Sequence, residues 1–148
     1  MSTDLSHHDA ARDAIARGVA VVGLAGVALI HVLDAHDTFV STPYKGVLYL
    51  GLIAGTLLTA GALLRRSSLR AWAAAGALCL GAFLAFVYSR TVGLPSSADD
   101  IGNWWEPLGL ASLFVEGSVV ALSAGVFYER LRVAVPRPER VRGLARSY

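Results

Sequence analysis

Four unbroken apolar runs, each long enough to cross a lipid bilayer, constrain this chain more than any motif in it. A helix needs about 20 residues to traverse a hydrocarbon core roughly 30 Å thick. Runs of that length cover residues 16–35, 44–64, 71–89 and 107–128. They are rich in Ala, Leu and Gly and do not alternate apolar with polar, which favours helix over strand. In lipid a helix also satisfies its own backbone hydrogen bonds. The sequence therefore predicts an all-α fold, an integral membrane four-helix bundle. It divides into a flexible N-terminus (1–13), the membrane domain (14–130) and a basic tail (131–148).

Composition agrees. The chain has 148 residues, enough for one domain, and is 55% hydrophobic against 16% charged, far more apolar than a soluble domain. The single cysteine, Cys79, lies inside an apolar run, so neither an internal disulfide nor a Cys/His zinc spacing is available. The net charge is +2, and the arginines sit in short clusters beside the spans. That pattern fits lipid headgroups and argues against nucleic acid as a partner. The first 13 residues lack the basic and apolar blocks of a secretory signal. Lys45 is the one lysine among 13 basic residues, and the Arg, Ala and Gly bias points to a bacterial source and hence to the plasma membrane.

Arginine placement orients the bundle. Arg12 and Arg17, then Arg65, Arg66 and Arg70, then six arginines from Arg130 to Arg146 all flank one side. Only Lys45 and Arg90 flank the other, together with Asp34, Asp37, Asp99, Asp100 and Glu106. The excess of basic residues on cytoplasmic loops then predicts that both termini are cytoplasmic. Tyr44, Tyr88, Trp104 and Trp105 fall near the outer boundary, and Trp72 and Tyr128 near the inner one, as expected of interfacial aromatics.

The first span ends in HVLDAHD, which puts His31, Asp34, His36 and Asp37 within two helical turns. Helical spacing separates them. His31 and Asp34 continue the face of Ala20, Leu24 and Val27, while His36 and Asp37 read as the helix end meeting water. In the fourth span Ser112, Glu116 and Ser123 share a narrow arc, and Glu116 is the one carboxylate deep in an apolar run. At 1.5 Å per residue Glu116 lies about 13 Å inside its span and His31 about 9 Å inside its own, so both sit in the outer half. An ionisable residue in lipid costs roughly 3 kcal/mol on insertion scales and turns inward to a partner. The candidate site is therefore His31, Asp34, Arg90 and Glu116, with Arg90 reaching down from the end of the third span toward Asp34 or Glu116. His31, Asp34 and Glu116 offer a nitrogen and oxygen set that could take a divalent metal ion such as zinc, manganese or iron.

Small residues recur every fourth position as Gly51, Gly55 and Thr59, and as Gly81, Ala85 and Ser89. Such stripes let helices approach closely, within one bundle or between two copies. The longest connection, residues 90–106, carries Gly93 and Pro95 to stop one helix and Pro107 to open the next, and reads as a lid over the outer end. The segments SRTVGLP and WEPLGLASLFVE, which together span residues 89–116, resemble those of small four-span bacterial membrane proteins, largely actinobacterial. The resemblance implies a membrane location, an Arg-Thr-x-Gly-Leu-Pro turn and a glutamate in the last span. It carries no catalytic role.

No P-loop, dinucleotide fingerprint, HExxH or GxSxG is present. One histidine deep in a span argues against bis-histidine haem within one subunit. Besides a membrane enzyme, the weakest of three readings, two functions remain open. One is a non-enzymatic membrane protein that binds an ion, a proton or a small ligand at the polar cluster, as a sensor or transport component. The other is an accessory subunit of a larger membrane complex, or a homo-oligomer, in which the cluster only fixes helix register.

Overall fold

Local chemistry sets where each helix begins and ends. The computed structural model describes residues 2–134, leaving aside the side chains of residues 2–6, 9 and 134; the basic tail beyond Ala134 lies outside the described residues. Four helices result: α1 (Ser2–Ser41), α2 (Pro43–Arg65), α3 (Leu69–Thr91) and α4 (Pro107–Ala134). Pro43 and Pro107 sit at the first position of their helices, where a missing N–H is harmless. Ser68 caps α3 by accepting a hydrogen bond from Ala71 N at 3.2 Å. At the other end of α3, Gly93 has φ +90 and its N–H reaches back to Tyr88 O, so glycine supplies the left-handed residue that ends the helix.

α1 is longer than its apolar run at both ends. It begins at Ser2, through the segment expected to be flexible, and continues through His36 and Asp37 to Ser41. Nothing between Asp34 and Ser41 breaks a helix, and the chain turns only at Thr42, whose successor is proline. His36 and Asp37 are therefore exposed helical residues with one more turn beyond them.

The helices run antiparallel around a ring. α1 packs on α2 and α4, and α3 packs on α4 and more loosely on α2. The start of α1, the α2–α3 connection and the end of α4 share one end of the bundle, here the terminal end. The α1–α2 and α3–α4 connections share the other, the loop end. All four helices are long and apolar enough to cross a membrane. Their outward faces present Val22, Leu29, Leu58 and Phe114 at 59–76% exposure. An apolar surface of that extent belongs against lipid, and the chain is a multi-pass membrane protein.

The interior divides across the middle. The terminal half is a packed core of Leu24 and Val27 from α1, Leu63 from α2, Trp72, Ala75 and Cys79 from α3, and Val119 from α4. Helices come close there: a Cβ added at Gly23 would lie 2.6 Å from Val119 Cγ2. Trp72 is fully buried in this core. Of the two small-residue stripes, Gly55 and Thr59 serve the packing, with a Cβ at Gly55 only 3.2 Å from Leu78. Gly51 and Gly81 face no neighbour within 4 Å.

Ser67 ties the terminal end together. Its hydroxyl donates to Asp13 Oδ1 at 2.7 Å and accepts from Trp72 Nε1 at 3.1 Å and Arg130 Nη2 at 3.0 Å. Three helices thus meet at one oxygen. Ser67→Ala is expected to lower stability by about 1–2 kcal/mol, the usual effect of leaving partly buried donors unpaired. Thermal unfolding in mild detergent measures it, and an unchanged midpoint would remove Ser67 from this role.

Candidate functional site

In the loop half the four helices do not close on one another. They surround a cavity of about 610 Å³, within the range of small-molecule sites. Residues from every helix and from the α3–α4 connection line it. The four candidates named by the sequence, His31, Asp34, Arg90 and Glu116, all lie on its wall.

His31 and Glu116 face each other near its floor. His31 Nδ1 stands 2.9 Å from Val27 O. A carbonyl only accepts, so Nδ1 carries the hydrogen and the neutral ring leaves the Nε2 lone pair free. Nε2 lies 4.0 Å from Glu116 Oε1, too far for a hydrogen bond. Oε1 instead accepts from Ser112 Oγ at 2.7 Å, one turn up the same helix. Glu116 is 1% exposed, and its second oxygen, Oε2, has no partner. Ser123, the third member of the arc, is also buried without a hydrogen-bond partner for its hydroxyl; it lies deeper, against Gly76 of α3.

Asp34 takes a different partner from the one its spacing suggested. Its Oδ2 accepts from Tyr49 OH at 3.0 Å and from Thr38 Oγ1 at 3.1 Å. The Tyr49 ring stands edge-on to His31, with centroids 4.6 Å apart. Tyr49 is therefore the residue that joins His31 to Asp34, and sequence reading passed over it. Its signal was present: Lys45, Tyr49, Leu52 and Thr56 recur at steps of three and four along α2. Among the described residues no three His, Cys, Asp or Glu side chains are grouped to hold a metal ion. His31, Asp34 and Glu116 do not form a ligand set, because Asp34 is turned to Tyr49 and Thr38.

Arg90 corrects the sequence expectation. It reaches neither Asp34 nor Glu116. It is 6% exposed and is paired with Asp100 Oδ1 at 2.8 Å and with Glu106 Oε2. Its guanidinium also lies 4.7 Å from the centre of the Phe86 ring, a cation–π contact. The connection folds back over the end of α3 and brings these carboxylates to the arginine before it can extend downward. Lys45 adds a pair to Asp100 Oδ2 at 3.0 Å. Thr42 and Ser97 share a hydrogen bond at 3.2 Å, and Tyr44 OH donates to Pro95 O at 2.8 Å. The connection is thus a lid, clamped to α2 and α3.

Partial burial pushes the Asp100 carboxyl up, but hydrogen bonds and charge from Lys45 and Arg90 outweigh this and hold it below its ordinary value. A depressed carboxyl stabilises the folded state above the ordinary pKa of about 4, and loses that contribution as pH falls through the lowered value. Amide-exchange protection of residues 92–106 is accordingly expected to stay level down to about pH 4 and to fall below it, while α3 stays protected. Loss of lid protection at pH 6 would contradict the assignment.

Comparison with known proteins adds nothing to this geometry: no family model, no curated protein and no solved structure matches the chain.

Proposed function

We propose that this is a membrane-embedded binding protein, a sensor or transport component, whose cavity takes a small cationic solute at Glu116. One observation carries the reading: a fully buried carboxylate on the cavity wall has an oxygen with no partner. A buried carboxyl group left half-paired is costly, and such groups in membrane spans mark ion and substrate paths. The rest of the wall supports a cation. Five carboxylates line the cavity; Asp100 and Glu106 are paired with its one arginine and one lysine, which leaves Asp34, Asp37 and Glu116 without a cationic partner among the lining residues. The asymmetry of arginine across the spans supports cytoplasmic termini, with the lid facing outward, and composition together with the SRTVGLP resemblance supports a bacterial plasma membrane.

Titration of the purified protein in lipid nanodiscs with tetramethylammonium, followed by calorimetry, tests the reading. Saturable binding is expected for tetramethylammonium and none for tert-butanol, a neutral molecule of comparable shape. Equal response to both probes, or to neither, would overturn it.

A further inference from the structure

The cavity has an open side, and its position narrows the ligand. α2 and α3 are the loosest neighbours in the ring. On α3, Ala77, Gly81 and Ala85 recur every fourth residue, so they form one stripe. A stripe of small residues usually lets a second helix close in. Here all three residues line the cavity, all are exposed, and a Cβ at Gly81 would meet nothing within 4 Å. The facing wall on α2 is Leu48 and Leu52, and Leu48 is 65% exposed. Between α2 and α3 the wall is therefore apolar on both sides and lies along membrane-spanning helices, while the loop end is polar, with the exposed Asp37 and Ser41 beside the lid. Water-soluble solutes meet the polar loop end; molecules dissolved in the bilayer meet an apolar slot.

We propose that the ligand is a cationic amphiphile resident in the bilayer, an amine or quaternary ammonium on an apolar chain. Its head sits at Glu116, and its chain lies out through the slot between α2 and α3. Glu116 supplies the counter-charge through Oε2, and Leu48, Leu52 and the α3 stripe supply apolar contact along the chain. The small residues are what keep the slot open, since any larger side chain on that stripe would fill it.

This rests on the proposed binding role of Glu116 and is tested so that the two separate. Tetramethylammonium and octyltrimethylammonium carry the same head and differ only in the chain. In nanodiscs the octyl probe is expected to bind wild type at least tenfold more tightly. Ala85→Leu, and separately Gly81→Leu, are expected to cost the octyl probe about tenfold while leaving tetramethylammonium within about twofold. Gly125→Leu, where a Cβ also meets nothing within 4 Å but which lies away from the cavity, is expected to change neither. Unliganded melting temperatures check that each variant is folded, and the two slot variants give independent readings. Octyl binding no tighter than tetramethylammonium, or slot variants that leave octyl affinity intact or weaken both probes alike, would overturn the lateral slot while the binding role stands. Failure of tetramethylammonium to bind wild type would remove the binding role itself.

Discussion

Glu116→Gln is expected to abolish cation binding while leaving the unliganded protein as stable as before. The substitution keeps shape and keeps the oxygen that accepts from Ser112. It removes the charge a cation would meet. Removing one partner from a buried pair typically costs about 3–5 kcal/mol, and each 1.4 kcal/mol is roughly tenfold in affinity. Tetramethylammonium affinity should therefore fall by at least about 100-fold. Stability has the opposite logic. With Oε2 unpartnered and His31 Nε2 at 4.0 Å, the carboxylate makes little that glutamine cannot replace. The unfolding free energy is expected to stay within about 1 kcal/mol, since neutralising a half-paired buried charge relieves its desolvation. The combination discriminates. If His31 and Glu116 were a closed ion pair fixing helix register, Glu116→Gln would lose several kcal/mol of stability. Calorimetric titration and thermal unfolding on the same samples read both quantities.

The largest stability effect is expected at the lid. Arg90 is buried and holds two carboxylates, Asp100 and Glu106, that are themselves partly exposed. Taking away the carboxylates and taking away the arginine are therefore unequal. Asp100→Asn with Glu106→Gln leaves a guanidinium buried without a counter-charge, and should cost about 3–5 kcal/mol. Arg90→Met leaves two carboxylates that can turn to water and keeps apolar contact with Phe86, so its cost should be smaller by about 2 kcal/mol. Unfolding midpoints of the two variants should rank in that order. The reverse order would mean that Arg90 reaches solvent in the folded state.

Most of the architecture was legible because membrane spans are written in long runs. Pro43, Gly93 and Pro107 mark ends by backbone chemistry that no tertiary contact overrides. The depths of His31 and Glu116 were legible for the same reason, since rise per residue fixes depth once a span is placed. Partners were not. Arg90 chooses between carboxylates below it and carboxylates brought back by the connection that follows it, and a sequence shows only the spacing. Asp34 shares a helical face with His31 yet turns to Tyr49, because a phenol across the cavity offers a donor that an imidazole already bonded to Val27 does not. The cavity was the least legible feature. Gly81 and Ala85 carry the same small-residue signal as Gly55 and Thr59, and whether a neighbouring helix closes over them depends on how α2 leans. Nothing in the stripe itself records that.

The knot at Ser67 and the gap at the other end of the same two helices together make a lever. α2 and α3 are joined only by residues 66–68 and are pinned there to α1 and α4. Each is 23 residues long, about 34 Å at 1.5 Å per residue. Pivoting one helix by about 5° about the knot would move its far end by roughly 3 Å, close to the width of an alkyl chain. Widening the mouth in this way would have to part the ties across its far end, Lys45 to Asp100, Tyr44 to Pro95 and Thr42 to Ser97.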